Sequence, residues 1–553
     1  MSGNGRRGKS NDVGDAGDTD AADDGDSGSS GPNRRVILGA AAAGVVGVVG
    51  VAGAGFAIAD SSRGHAVENA AGQSSSAHVE PTGGGSSSST PVAEEDLPGD
   101  PNWRITSAGK PDAIAGYADQ YSVLPGQDFD LYVSTTSASY QVRAFRVGWY
   151  GGAQARLVWT SDTVPGSVQD DALFDSDTRR VYTTWTKSLT VSTEGWPEGA
   201  YLLRLDAANG HQRYVPMIVR SASARGKLLL MHAVATWQAY NLWGDYSLYQ
   251  GADGSYGTRS LVVSFDRPYD DVGAEKFLVY ERAAVVLAER LQLPIAYTTG
   301  MDVHADPSAL NGATAVFSLG HDEYWTPQQR QYVTAARDRG TNIAFLGANT
   351  CFRRVRFESS DLGTSRNMAC YKTSYDQDPL YGRDDELVTN DFRADPAPDP
   401  ESSMTGVLYE SYPTDAPYVV INADHWLYAG TGVKNGDGFN HLVGVEYDRV
   451  TPGEPTPRPI EIIAHSPLTC NGQASHSDSA YYTVPGGAGV FASGTMRWVE
   501  GLLAGTPDAD NGMDPATGAF VTQTTSNLMR AFATGPAGRS QPAPKDNVDE
   551  IYS

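Results

Sequence analysis

The sequence predicts two folded units in series: an antiparallel β-sandwich, then an α/β unit with a mostly parallel sheet. Three observations predict it. From about 112 to 222, short alternating apolar and polar runs are broken by turns, with no helix-period segment among them. From about 226 the pattern becomes strand, helix, strand, at spacings that call for a parallel sheet with helices on its faces. Aromatic residues are plentiful, with 28 Tyr and 10 Trp, as expected of a β-rich, well-packed protein.

In the first unit Leu124-Pro125-Gly126-Gln127 is a turn, after which Phe129, Leu131 and Val133 alternate with Asp130, Tyr132 and Ser134. Tyr140–Val147, Tyr201–Leu205 and Tyr214–Val219 read as further strands, and Gly151-Gly152 and Asn209-Gly210 as turns. This pattern suits a sandwich of immunoglobulin-like type. In the second unit Lys227–Met231 is a buried strand, followed by an amphipathic helix over Ala274–Gln292 with Phe277, Tyr280, Leu287 and Leu291 on one side. Ile295–Thr298 and Thr314–Leu319 are strands, Pro327–Arg339 a helix stopped by Gly340, and Asn342–Leu346 another strand. After about 350 the sequence is loop-rich until the strand-like Glu461–Ala464 and Gly489–Ala492.

The ends read differently. Residues 1–32 are polar and Gly/Ser/Asp-rich, a composition that does not bury a core. Asn33–Gly39 (NRRVILG) opens an apolar run to Ala59, which reads as a twin-arginine export signal with Ala57-Ile58-Ala59 as its cleavage site. The rival reading is a retained anchor, since Val36–Ala59 is long enough to span a bilayer, although its glycines make it a poor one. The expected boundaries are therefore 1–59 for the disordered N-region and signal, 60–99 for a Ser/Gly-rich linker, 100–224 for the sandwich, 225–535 for the α/β unit and 536–553 for a disordered tail. A secreted or cell-surface location follows from the signal.

The net charge of −25 repels phosphate backbones and argues against a nucleic-acid partner. Three cysteines, Cys351, Cys370 and Cys470, are too few for a disulfide scaffold, and their pairing, Cys351 with Cys370 included, is not legible from spacing. There is no G-x-S-x-G elbow, no H-E-x-x-H and no G-x-G-x-x-G between a strand and a helix. Gly3–Ser10 matches a phosphate-binding loop letter for letter, but no strand precedes it, and it is read as chance.

Chemistry is expected where strands of the second unit end, because open α/β sheets place their ligands at the carboxyl edge. Thr314–Trp325 (TAVFSLGHDEYW) ends a buried strand at Gly320 and delivers His321, Asp322 and Glu323 there. Thr326 then caps the next helix, with Pro327 at its first position and Gln329 closing a capping box. One or two of the three ionisable groups serve a metal or acid–base chemistry, or the cluster only caps the helix. Thr236–Asn241 (TWQAYN) follows the first strand of this unit; Tyr240 offers a phenolate ligand or a pocket wall, against the plainer reading of an aromatic rim. In Leu346–Arg354 (LGANTCFRR), Asn349 suits a donor to a carbonyl or oxyanion, whereas Cys351, with no partner His spacing, suits a structural role. Lys372, in Met368–Lys372 (MACYK), supplies a positive charge there or is a surface lysine.

Several segments, taken together and in this order, resemble the large (β) subunit of N,N-dimethylformamidase in its C-terminal region. They are FRVGWYGG (145–152), WPEGAYLLRL (196–205), TWQAYNLWG (236–244), SFDRPY (264–269), SLGHDEYW (318–325) and FLGANT (345–350), spread over roughly residues 112–500. The resemblance implies an immunoglobulin-like domain followed by a glutamine-amidotransferase-like domain. It also implies a mononuclear, ferric iron held by two tyrosines and a glutamate. Glu323 and Tyr240 match two of these ligands, and Tyr201 is the candidate for the third. His321, Asn349 and Lys372 resemble residues lining the family's pocket. A catalytic glutamate is expected from the later segment, with Glu446 (GVEYDR, 444–449) chosen over Glu461.

The activity implied is hydrolysis of an amide C–N bond in a small-molecule substrate. No membrane partner is expected beyond an uncleaved signal, and a homo-oligomer is compatible with the sequence. Two departures stand out: the family's enzyme is cytoplasmic and has two kinds of subunit, whereas this chain carries an export signal and no small-subunit sequence. The competing classes are a non-catalytic extracellular binding protein on the same fold and a metal-independent enzyme acting on polysaccharide. Asp322, by alternation, is expected to point away from the chemistry and support its loop.

Overall fold

The computed structural model describes residues 94–509 and 511–553, so the expected signal, its cleavage site, the N-terminal region and all but the last residues of the linker lie outside the described part. The fold is mixed, with more strand than helix. Alternation within 112–222 becomes two layers, antiparallel except where the short edge strand at Ser122–Val123 pairs in parallel with its neighbour. One contains β1 (Ile114–Ala118), β3 (Asp128–Thr135) and β6 (Leu189–Ser192) in the order β1-β3-β6. The other contains β2 (Ser122–Val123), β4 (Ser139–Val147), β5 (Ala155–Thr160), β7 (Gly199–Ala207) and β8 (Gln212–Val219) in the order β2-β8-β7-β4-β5. The inward set Phe129, Leu131, Val133, Val142, Leu203 and Val215 packs between them. Alternating burial of this kind fixes the strand register, because a one-residue slip would turn the whole apolar set to water.

The second unit is built on seven strands: β9 (Leu228–His232), β10 (Ile295–Thr299), β11 (Ala315–Ser318), β13 (Asn342–Phe345), β17 (Ile460–Cys470), β18 (Gln473–Thr483) and β19 (Gly489–Ala492). Between β11 and β13 lies the short β12 (Tyr324–Trp325), which pairs in parallel with β14 (Arg353–Arg354) off the main sheet. The main order is β10-β9-β11-β13-β19-β18-β17. Its first five strands are parallel and its last two antiparallel. Helices cover both faces. On one, Leu228 and Leu230 pack with Ala284 and Ala288 of α3 (Arg282–Arg290) and Leu528 and Phe532 of α5 (Pro515–Ala533). On the other, Leu229 and Met231 pack with Val333 and Ala336 of α4 (Pro327–Asp338). A strand apolar on both sides is what such double coverage demands.

Three expectations need correction, and the open question of cysteine pairing is answered. The helix expected over Ala274–Gln292 is two helices, α2 (Glu275–Tyr280) and α3, separated at Glu281, whose backbone leaves the helical region (φ −131°). The Glu281 carboxylate is occupied by His232 Nδ1 (2.5 Å), the Ala233 N–H (3.1 Å) and Trp237 Nε1 (2.6 Å), so tertiary bonds outweigh helix continuity there. The tail at 536–553 is folded. Helix α6 (Val548–Ile551) follows Asn547, whose side chain bonds both Ile462 N and Ile462 O, and Tyr552 donates to Asp478. The end of the linker is also fixed, because Glu94 accepts from Tyr150 and from Arg156. No disulfide joins Cys351 and Cys370: all three cysteines are free and buried, and these two sit in different hydrophobic cores.

The capping signature at Thr326 forms in half. Thr326 Oγ1 accepts from Gln329 N at 3.1 Å, but the Gln329 side chain reaches Met231 rather than returning to the cap. Among the described residues no helix is long and apolar enough to cross a membrane.

Candidate functional site

Three loops meet at the carboxyl edge of the parallel strands. The first is α1 (Val234–Tyr240), which follows β9; the second is 319–323, after β11; the third is 346–352, after β13. The second and third cross at their glycines. A Cβ on Gly347 would lie 1.9 Å from Gly320 O, and one on Gly320 would lie 2.2 Å from Tyr280 O, so neither loop tolerates a side chain at the crossing. The first and second are tied by Thr236, whose hydroxyl accepts from Glu323 N (3.0 Å) and Tyr324 N (3.3 Å). This single side chain fixes Tyr240, one helical turn later on α1, relative to Glu323.

At the meeting point three oxygens face one another. Tyr240 OH donates to Glu323 Oε2 at 2.7 Å, Tyr249 OH lies 2.6 Å from the same carboxylate oxygen, and the two phenol oxygens are 2.7 Å apart. Tyr324 OH approaches Tyr249 OH at 2.8 Å. The two phenol rings stack with centroids 4.3 Å apart. The other oxygen of Glu323, Oε1, takes Arg353 Nε at 3.3 Å, and Arg353 in turn pairs with Asp391.

His321 links this cluster to a second carboxylate. Its Nε2 is 2.8 Å from Tyr240 OH, and its Nδ1 is 3.4 Å from Ala348 O and 3.9 Å from Glu446 Oε2. Glu446 lies on β16 (Gly438–Arg449), paired with β15 (Leu408–Val419), and is buried. Asn349 Nδ2 donates to Glu446 Oε2 at 2.8 Å, while the Asn349 N–H donates to Asp448 Oδ1 at 2.8 Å. Asn349 holds a left-handed backbone (φ 58°), as does Lys372 (φ 55°), a conformation non-glycine residues seldom adopt and one that concentrates at functional sites. Lys372 is fully buried, and its Nζ lies 3.5 Å from the Tyr249 ring centroid.

Electrostatics follows from these contacts. Burial opposes the charge on His321, but the Glu446 and Glu323 carboxylates outweigh it and raise its pKa. Burial likewise opposes ionisation of Glu323, yet His321, Arg353 and Lys372 together hold its carboxyl well below the usual range. Burial, with Arg353 nearby, lowers Lys372 well below an ordinary lysine. Asp322 accepts from Ser318 Oγ at 2.8 Å, away from the phenols, and burial pushes it up to about 7. Burial also pushes Asp448 up to about 8.

The structure thus brings together Tyr240, His321, Glu323, Asn349, Lys372 and Glu446. It does not bring Tyr201. That residue lies on β7 inside the sandwich core, stacked on Trp196 with centroids 5.0 Å apart, and its hydroxyl donates to Pro197 O at 2.6 Å. A phenol spent on the backbone within a separate core is not available at Glu323, where the second phenol beside Tyr240 is Tyr249. Glu461 is elsewhere too, bonded to Asn422 Nδ2 and Lys545 N. Sequence reasoning missed Tyr249, Tyr324 and Arg353. Tyr249 had one available signal, a tyrosine nine residues beyond Tyr240 in the same segment (DYSLYQ, 245–250), whereas Arg353 had none beyond its place in an already quoted motif. Among the described residues no three His, Cys, Asp or Glu side chains converge as a metal-holding group.

Fold and site define a mixed-sheet protein with two half-buried phenols on a buried carboxylate at the edge of a parallel sheet. The chain belongs to the N,N-dimethylformamidase beta subunit-like family, whose C-terminal region matches residues 141–512. No curated protein sequence matches the chain. Among solved structures, a Paenibacillus sp. cycloisomaltooligosaccharide glucanotransferase complexed with cycloisomaltoheptaose is similar at 13% identity, over 48% of this chain and 35% of that one. Its TM-score is 0.14, so the similarity carries no inference about fold or chemistry. The match spans about a third of the length of that enzyme.

Proposed function

We propose that the protein is a hydrolase of amide C–N bonds in small molecules, with a mononuclear ferric ion at Glu323. The observation that carries this reading is the three-oxygen cluster of Tyr240, Tyr249 and Glu323 Oε2, all within 2.7 Å of one another. Two phenols and a carboxylate form a hard, anionic donor set once the phenols lose their protons, which fits a hard, highly charged cation. Membership of the family supports hydrolysis.

Tyr240, Tyr249 and Glu323 would hold the ion, which supplies Lewis acidity toward an amide carbonyl. The remaining roles belong to the chain's own side chains. Glu446 takes a proton from the attacking water and returns it to the departing amine nitrogen, a general base and then a general acid. Asn349 Nδ2, 2.8 Å from Glu446 Oε2, orients that carboxylate, and its second amide hydrogen serves a developing oxyanion. His321, in reach of both Tyr240 OH and Glu446, orders the phenol and the carboxylate across the pocket. Lys372, buried with its amine against the Tyr249 ring and its charged form disfavoured by burial, lines the pocket beside that phenol.

The same reading takes 100–224 as an immunoglobulin-like domain and 225–535 as a glutamine-amidotransferase-like domain. Their support is the two-layer, mainly antiparallel pairing of the first and the doubly covered parallel strands of the second. Export by the twin-arginine route to the cell surface or beyond rests on Asn33–Gly39. The test is elemental analysis of exported protein together with a panel of small amides. About one iron per chain with a phenolate charge-transfer colour and amide cleavage is expected. Protein without iron, or cleavage unaffected by Tyr240→Phe and Glu323→Ala, would sink the reading.

A further inference from the structure

Glu323 has two oxygens with separate neighbourhoods. Oε2 faces Tyr240, Tyr249 and His321, the last through Nε2 at 3.3 Å. Oε1 faces Arg353 at 3.3 Å. Arg353 is itself clamped on its far side, where its guanidinium pairs with Asp391. Its guanidinium carbon, Cζ, also lies 4.5 Å from the Phe352 ring centroid, which limits its swing. The carboxylate is thus divided by a charged fork that a second carboxylate holds in place.

We infer that Arg353, oriented by Asp391, is a positioning residue that reserves Oε1 of Glu323, leaves Oε2 alone to the donor cluster and weakens that oxygen's donation to a bound cation. The physical reason is electrostatic. A guanidinium hydrogen bond draws negative charge toward Oε1, so Oε2 gives less of it away. With both oxygens released, Glu323 would turn or bind through both, and a bound cation would become a poorer acceptor toward substrate. The arginine is suited to this because its charge does not depend on pH and its planar fork binds two carboxylates at once. Lysine keeps the charge but loses the fork.

The backbone around Arg353 is held without its side chain. Arg353 N donates to Glu323 O at 2.9 Å, and β14 pairs in parallel with β12, Tyr324 opposite Arg353. Substitution of the side chain is therefore expected to leave the loop in place. The inference rests on the ferric reading of the cluster, and the experiment separates the two.

Full-length protein is loaded with ferric ion and compared with Arg353→Met, Arg353→Lys and Asp391→Asn. The readouts are iron per chain, apparent affinity in competition with a chelator, the position of the phenolate charge-transfer band and the melting temperature. Arg353→Met is expected to keep the fold, bind the ion about 10- to 100-fold more tightly and move the band to shorter wavelength, because a less acidic metal raises the transition energy. Arg353→Lys should restore the melting temperature more fully than the band position, and Asp391→Asn should move the band in the same direction by less. An unchanged band and affinity in Arg353→Met overturns the inference while leaving the ferric site standing. Absence of any phenolate band in the unaltered protein overturns both. If Arg353→Met does not fold, the Lys and Asn variants decide, and an unmoved band in both overturns the inference.

Discussion

Tyr201 and the pair Tyr240 and Tyr249 set two regions of one chain against each other. Tyr201 is buried between the layers of the sandwich, its hydroxyl spent on Pro197 O and its ring on Trp196. Burial among apolar neighbours raises its pKa, so it stays a neutral hydrogen-bond donor. At the sheet edge Tyr240 and Tyr249 put their oxygens against each other and against Glu323, with Arg353 and Lys372 nearby. The difference lies in exposure and in what each oxygen faces: half-buried phenols meet a carboxylate at a sheet edge, whereas the buried one is closed onto a backbone carbonyl.

The largest expected effect is at Glu323. Glu323→Ala should remove bound iron and abolish amide cleavage, and it leaves Arg353 and His321 facing an empty space, at about 3 kcal/mol of stability. Elemental analysis and denaturant unfolding check both parts. Glu446→Gln should keep the ion and its colour but lower kcat by about 10²–10⁴-fold, the usual range for a lost proton-transfer group. Retained iron with lost turnover separates it from Glu323.

The paired tyrosine changes test the comparison directly. Tyr249→Phe should lose the charge-transfer band and the iron, whereas Tyr201→Phe should keep both and cost only about 1 kcal/mol from its lost hydrogen bond. Loss of iron in Tyr201→Phe, with the fold intact by circular dichroism, would falsify the assignment of Tyr249.

A smaller effect is expected at Asp448. Its carboxyl is raised from the ordinary aspartate value to about 8 by burial, with Glu401 and Glu446 adding repulsion. A raised acid stabilises the fold while protonated, so its contribution is complete below about pH 4 and is lost as pH rises toward 8. Asp448→Asn keeps an acceptor for the Asn349 N–H and should flatten melting temperature against pH over that window. An identical profile in the two proteins would remove Asp448 from the account.

Much of the scaffold was legible in sequence because it is local. Period-two alternation located β3, β4, β7 and β8, and Thr326 with Pro327 marked the start of α4 to the residue. The break at Glu281 was not legible, because the bonds that compete with the helix come from His232 and Trp237, far away in sequence. The folded tail was missed for the same reason: its polar composition looks solvated, yet Asn547 and Tyr552 find partners on β17 and β18.

The candidate site divides along the same line. By itself the sequence determined that His321 and Glu323 arrive at the end of a buried strand, that Tyr240 and Asn349 arrive beside them, and that the chain belongs with the N,N-dimethylformamidase beta subunit-like proteins. Strand ends and loop lengths are short-range properties, and they suffice for that. Only the tertiary structure decided which tyrosine stands second to Tyr240 and which later glutamate reaches His321, and it showed that Arg353 holds the other half of Glu323. Those choices are made between segments nine to more than a hundred residues apart, by the crossing of Gly320 and Gly347 and the bond from Thr236, and no periodicity records them.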